Sequence, residues 1–379
     1  MKQFTEAVAS ELNVEQTQVF PYWKGRVGLY ALLKAMQIGN GDEVIIPAFT
    51  CVVVPNAIIY LGAKPIYVDV NKETYNTTID KIKEKTTDKT KCILIQNTFG
   101  LSTQVEEIIV FAKSKNIPTI EDCTHGFGGT YNGQPNGTFA DASFFSTQWN
   151  KPFSTGIGGF VYVKNTNYLS KLIDVNKGLI TPSFKEKFIL SSLIKARKLL
   201  LNPFTYSTLL KLYRFLSKIG LVVGSSSKEE IEGIEIPDGY FKGFSVVQAK
   251  TGLKKIKKLD QVIENRIANA KKYSKFLESE GRTFVSQSLE ENHSFLKYPI
   301  LVKDREKFKL LAEKVSINLG DWFISMIHPI ENNLELWHLD ADEFPIAKEI
   351  SEKILNLDTD TKSIDKVLKF LAQHKEEIL

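Results

Sequence analysis

Three cysteines in 379 residues leave no room for a disulfide framework or a cysteine-ligated metal. Cys51, Cys92 and Cys123 are an odd set, confined to the first third of the chain and without metal-ligand spacing, so they read as reduced structural thiols. Long apolar runs are missing too. Nowhere do roughly eighteen uncharged apolar residues follow one another, and the opening MKQFTEAVASELNVEQ carries acids where a signal peptide needs an unbroken apolar run. These absences predict a cytoplasmic protein. Neither sign of charge dominates: 49 Lys and Arg against 44 Asp and Glu give +5, too dilute a basic footprint for a nucleic-acid binder. Internal repeats are absent, and the only low-complexity tract is the serine run in GSSSKEEIEG.

What is present is an ordinary globular balance, 43% hydrophobic and 25% charged, in a chain long enough for two or three domains. After a short polar helix, WKGRVGLYALLKAMQIGNGDEVIIP places Gly25 and Arg26 at a turn before a helix. EVIIPAFTCVVVPNAIIYLGAKPIYVDV then reads strand, helix, strand, and the cycle repeats through KCILIQNTFG, a helix from Gln104 to Lys115, and IPTIED. Alternating short β-branched strands and amphipathic helices predict an α/β fold with a mostly parallel central sheet. Such sheets bind ligands beyond the C-terminal ends of their strands. Four loops are thereby predicted to converge: Phe49 and Thr50, Asn97 to Phe99, Asp122 to His125, and Ser146 to Lys151.

One acid, one lysine, one hydroxyl and several glycines at strand ends are the parts that hold pyridoxal 5'-phosphate. A lysine amine forms the Schiff base and moves protons, a buried carboxylate keeps the pyridine nitrogen protonated, and hydroxyls and backbone amides hold the phosphate. Lys151, Asp122 and Ser146 are the candidates, with His125 near the ring. A glycine before a helix leaves amides free for an anion, so Gly25 reads either as part of a phosphate cradle or as a plain helix start.

From Val161 the pattern changes. Residues 181–222 carry eight lysines and arginines against one acid, Glu186, and predict two basic amphipathic helices broken near Pro203. Helices of this kind suit peripheral contact with an anionic membrane as well as packing on the protein body or a partner. From Ser245 a long helical pattern begins. Strand and helix follow in FLKYPILVKDREKFKLLAEKV, then a short strand in DWFISMIHPI and a terminal helix in SIDKVLKFLAQHKEEIL. The expected division is a large cofactor-binding domain over 1–240 and a smaller C-terminal α+β domain over 241–379.

The ordered stretches GDEVIIPAFT, GAKPIYVDVNKETYN, IEDCTHGFGGTYNGQPNGTFADASFFSTQWNK with its trailing GIGG, and GYFKGFSVVQA resemble the DegT/StrS-type (DegT/DnrJ) aminotransferases. These are pyridoxal-phosphate enzymes of the aspartate-aminotransferase fold type I that aminate nucleotide-linked keto-sugars for polysaccharide and glycan precursors. The resemblance implies Lys151 as Schiff-base lysine, Asp122 as partner of the pyridine nitrogen, Ser146 as phosphate ligand and His125 beside the ring oxygen. Gly25 and Arg26 stand where the family has Gly-Thr around the phosphate, and Gln148 where it has a histidine. Cys51 replaces the aromatic that stacks on the ring, and Phe241 and Gly243 replace an asparagine and arginine that reach a neighbouring subunit. It further implies glutamate as amino donor, a nucleotide-linked keto-deoxysugar as acceptor, no metal, and a homodimer with its sites at the interface. A pyridoxamine-dependent sugar dehydratase has histidine where this chain has Lys151. A non-catalytic cofactor-binding sensor or scaffold at a membrane surface is the reading from a different class.

Overall fold

The fold is that of a computed structural model, described over residues 1–200 and 226–379. Seven strands form the central sheet: β1 (Val19–Tyr22), β2 (Glu43–Pro47), β4 (Lys64–Val68), β5 (Thr90–Gln96), β6 (Thr119–Asp122), β9 (Ala142–Ser146) and β10 (Gly159–Val163). Their order is β1-β10-β9-β6-β5-β2-β4. The five from β9 to β4 run parallel; β10 is antiparallel to β9, and β1 to β10. Strand β5, TKCILIQ, is buried at all but its second position, the near-continuous apolar run of a strand covered on both faces.

Helices α1 (Lys2–Leu12), α2 (Gly25–Ala35), α3 (Val53–Ile59), α4 (Ile79–Lys85) and α5 (Val105–Ser114) alternate with the strands, as their periodicity predicts. Helix α2 is buried along nearly its whole length because it packs on α3, α6 (Leu169–Asn176) and strands β9 and β10. The parallel register brings Gln96, Asp122 and Phe144 level at one edge, with Ser146 two residues further along β9. Side chains that chemistry needs are thereby delivered to one rim.

Strands β1 and β10 are absent from the sequence reading. VFPY contains Pro21, which argues against a central strand, and β1 is tolerated because it lies at the sheet edge. The helical pattern after Ser245 divides into Val246–Ile256 and Leu259–Ser279. Ser245 and Gln248 form a capping box at its start, and Gln248 Nε2 also donates to the Trp23 and Ile157 carbonyls.

A second apolar core gathers residues from Ala270 to Ile378 around a two-stranded sheet, β11 (Tyr298–Leu301) with β13 (Ile354–Leu357). The short strand expected in DWFISMIHPI does not join it. That strand, β12 (Ile327–His328), pairs in parallel with β3 (Thr50–Cys51) beside the main sheet, because Phe323, Met326 and Ile327 belong to the main core. The chain thus leaves the large core, builds the small one, and returns to the large core between Phe323 and Ile354.

Of the basic segment, α7 (Phe184–Leu200) is described; Pro203 and the second expected helix lie outside the described residues. Leu190 of α7 is fully buried with Trp23 and Ile157, while Phe184 and Phe188 on the same helix are exposed. Among the described residues no helix is long and apolar enough to cross a membrane.

Candidate active site

Asp122 ends β6 and is 4% exposed. Its Oδ1 accepts from the Thr124 amide at 2.9 Å. Burial pushes the carboxyl up, while the Thr124 hydrogen bonds and the Lys151 charge pull it back. Glu121, one residue earlier, faces the other side of the sheet and is spent on structure. Its carboxylate accepts from the Gly137 and Phe139 amides at 2.8 and 3.3 Å and from the Cys123 thiol at 3.3 Å. Alternation along the strand decides which of the two adjacent acids is available.

Lys151 follows a turn after β9, its amide bonded to the Gln148 carbonyl. Burial draws its ammonium down to about 8, against the opposing pull of Asp122. The amine makes no ion pair among the described residues and lines a cavity of about 910 Å³. Its Nζ lies 4.4 Å from the centroid of the Trp322 ring. A lysine near neutrality that faces a cavity and a buried acid is the chemistry of a nucleophilic amine.

His125 is buried beside them. Its Nδ1 accepts from the Phe99 amide at 3.1 Å, so the neutral imidazole carries its proton on Nε2. Burial first, then the Lys151 charge, hold it well below the ordinary histidine range. Its ring lies nearly parallel to Trp322, 5.0 Å between centroids, and Phe323 and Phe99 continue the stack. Trp322 thus puts an aromatic face at the site where Cys51 offers none. Sequence reading missed it because DWFISMIHPI looks like a strand rather than a rim.

At the other end, the start of α2 is pressed against the end of β9. A Cβ on Gly25 would stand 2.8 Å from the Phe145 carbonyl oxygen and 3.3 Å from the Ser146 Cα, and one on Gly159 would stand 2.3 Å from the Gly25 Cα. Only glycine permits that approach, which sets the N-terminus of the helix beside Ser146. Of the two readings of Gly25, the close contact favours the cradle.

The Arg26 side chain takes a direction the sequence left open. Its Nη1 donates to Glu230 Oε1 at 2.6 Å and to Ser226 Oγ at 3.1 Å, and Lys24 meets the same carboxylate at 3.4 Å. Burial pushes the Glu230 carboxyl up, and the Arg26 and Lys24 charges more than reverse this, to about 2. Glu230 was not predicted; its only signal is the Ser227-to-Glu230 capping box that begins the helix Lys228–Glu232. The Tyr240 hydroxyl donates to the Arg26 carbonyl, and Tyr240 and Phe241 pack on Tyr30 of α2, so the GYFKGFS segment folds onto this end of its own chain.

Gln148 supplies a further test of fit. Its Nε2 is buried and has no hydrogen-bond partner, although the residue sits between Ser146 and Lys151. A buried donor without an acceptor is costly, and an anionic or carbonyl-bearing group bound here would satisfy it. The amine, the acid, the tautomer of His125, the helix N-terminus beside Ser146 and the unused Gln148 amide all suit pyridoxal phosphate. Among the described residues no group of His, Cys, Asp and Glu is placed to hold a metal.

The architecture is the fold found in pyridoxal-phosphate aminotransferases of fold type I. The aminotransferase of Psychrobacter cryohalolentis superposes on 100% of this chain and 91% of its own, with a TM-score of 0.75 at 20% identity. The chain belongs to the DegT/DnrJ/EryC1/StrS aminotransferase family, whose sequence profile matches residues 2–183 and 207–370. GDP-perosamine synthase of Escherichia coli O157:H7 is 44% identical over 137 residues, a match that spans 36% of this chain and 38% of that enzyme. Protein MJ1066 of Methanocaldococcus jannaschii is 27% identical over 347 residues, 89% of this chain and 80% of its own.

Proposed function

We propose that this chain is a pyridoxal-phosphate-dependent aminotransferase that moves an amino group, with glutamate as donor, onto a keto-deoxysugar carried on a nucleotide. The observation that carries it is Lys151: a buried amine brought to about 8, on the wall of a cavity and within the field of Asp122. The name of the Escherichia coli relative supports a sugar acceptor. Lysine rather than histidine at 151 speaks for amino transfer over dehydration.

When bound, pyridoxal phosphate supplies the aldehyde and the electron-withdrawing ring that make an α-carbon proton acidic. Lys151 holds and moves the proton at that carbon, and general acid-base transfer by a well-placed side chain contributes typically about two to four orders of magnitude. Asp122 presents a carboxylate to the ring nitrogen, and Thr124 fixes its orientation. His125 presents its Nε2 proton. The amides at the start of α2, with Ser146 and Gln148, bind the phosphate end, while Arg26 stays paired with Glu230. Trp322 sets its ring face 4.4 Å from the amine, where it favours the ammonium form.

The same reading takes the protein as a cytoplasmic homodimer, with the basic helix Phe184–Leu200 packed on the protein body or a partner. Light scattering, cell fractionation and sedimentation with anionic liposomes test these points in turn. The decisive experiment adds glutamate to the yellow protein. Bleaching is expected, followed by return of colour with one member of a panel of nucleotide-linked 3-keto and 4-keto deoxysugars. Colour that no amino acid bleaches would leave a cofactor-binding sensor instead.

A further inference from the structure

Strand β13 reads ILNL and is buried at all four positions, so Asn356 is the one polar side chain in an apolar strand. Leu355 and Leu357 belong to the small core, and Asn356, between them on the opposite face, lines the cavity that Lys151 and Trp322 also line. Its backbone pairs with that of Gly320 in both directions, at 2.8 and 3.0 Å, and its side-chain Oδ1 accepts from the Trp322 amide at 2.9 Å. These bonds fix residues 320–322 against the strand. Trp322 in turn lays its ring 4.4 Å from Lys151 Nζ and nearly parallel to His125. A strand of the small core thus reaches a lysine of the large one through a single ring.

Stability alone does not account for an asparagine at this position. Asn356 is fully buried, and its Nδ2 has no hydrogen-bond partner. A hydrogen bond between neutral groups returns less to a fold than an orphaned buried donor takes from it, so an apolar residue would suit the strand better unless the bond to Trp322 serves something else. We propose that Asn356 is a positioning residue, whose side-chain oxygen holds the Trp322 backbone so that the indole stays over the Lys151 amine. An indole face attracts a cation only while the charge lies above it, and the attraction fades as the ring tilts or slides away. The other influences on the amine are burial, Asp122, Cys51 and Arg26, with the neutral His125 alongside. The bearing of this contact on amino transfer rests on the aminotransferase reading; the placement of the ring stands on Asn356 and its hydrogen bond.

The test titrates Lys151 in the full chain freed of cofactor, by competitive acetylation across the neutral and alkaline range with the Lys151 peptide quantified by mass spectrometry. Asn356→Leu is expected to lower the inflection by about 0.5 to 1 pH unit, the range that a lost cation–π contact spans. Asn356→Asp keeps an oxygen acceptor for the Trp322 amide in either protonation state, and its inflection is expected at or above that of the parent protein. In the Trp322→Leu background, Asn356→Leu is expected to add nothing, because no indole is left to place. A merely structural asparagine would lower the melting temperature on replacement and leave the inflection alone, and that result overturns the proposal. So does a shift that adds fully to that of Trp322→Leu, or an Asn356→Asp protein whose inflection falls as far as that of Asn356→Leu. If Asn356→Leu does not fold, Asn356→Ala replaces it with the same expected fall, and an unmoved inflection overturns the proposal as well. Capture of pyridoxal phosphate is read separately, so a Lys151 that never takes the cofactor sinks the aminotransferase reading while the acetylation profile judges Asn356 on its own.

Discussion

The amine of Lys151 is expected to titrate near pH 8 in the cofactor-free protein, and the consequence is measurable. At pH 7.5 an amine of that kind is neutral in about a quarter of molecules, against roughly one in a thousand for an ordinary lysine. Its capture of pyridoxal phosphate should therefore be about 200-fold faster than that of a solvent-exposed lysine. Stopped-flow absorbance between pH 6 and 10 should show the capture rate climbing with pH and levelling near 8. Asp122→Asn removes the charge that opposes burial, so the inflection should move to lower pH. The same depressed value makes stability depend on pH. Between about 8 and 10.5 the unfolded chain holds a proton at this lysine that the folded protein has released. Stability from this group therefore rises with pH across that window, by at most about 3 kcal/mol. Lys151→Met should abolish the slope and stabilise the cofactor-free protein at pH 7, as read by urea denaturation. An inflection that remains near 10.5, or that ignores Asp122, would refute the account of the site as a buried amine facing an acid.

Gly25→Ala should lower stability by about 1 to 3 kcal/mol and weaken phosphate-end binding, since its Cβ meets the Phe145 carbonyl oxygen at 2.8 Å; normal melting and cofactor affinity would deny the close approach. Glu230→Gln should cost about 3 to 5 kcal/mol at pH 7, because it leaves Arg26 buried without its carboxylate. The Glu230 contribution is fully present above pH 4.5 and lost as pH falls through about 2, so urea midpoints of parent and variant should converge toward pH 2. Trp322→Leu removes the aromatic face 4.4 Å from the Lys151 amine and should lower the capture inflection by about one pH unit. An unmoved inflection would show that the ring does not hold the ammonium.

Some of this molecule is readable residue by residue. The apolar runs of β2, β4, β5, β6 and β9, each punctuated by a helix, define the parallel sheet, and the sheet's ligand edge follows from strand direction alone. The loops holding Asp122, His125, Ser146, Gln148 and Lys151 are short continuations of those strands, so their convergence was legible. The edge strand with Pro21, the migration of β12 to the large core and the break before Leu259 were not, because pairing partners decide them. Trp322 escaped for the same reason: a ring above a lysine is a relation across more than a hundred residues.

Local pattern determined the α/β alternation, the strand-end position of the lysine and acid, and the glycine before α2, since each depends on backbone propensity over a few neighbours. Tertiary structure alone decided that Arg26 turns to Glu230 and that the Lys151 proton is loosely held. Charge and hydrogen bonding depend on which groups are excluded from water together, and distant segments meet only in the folded chain.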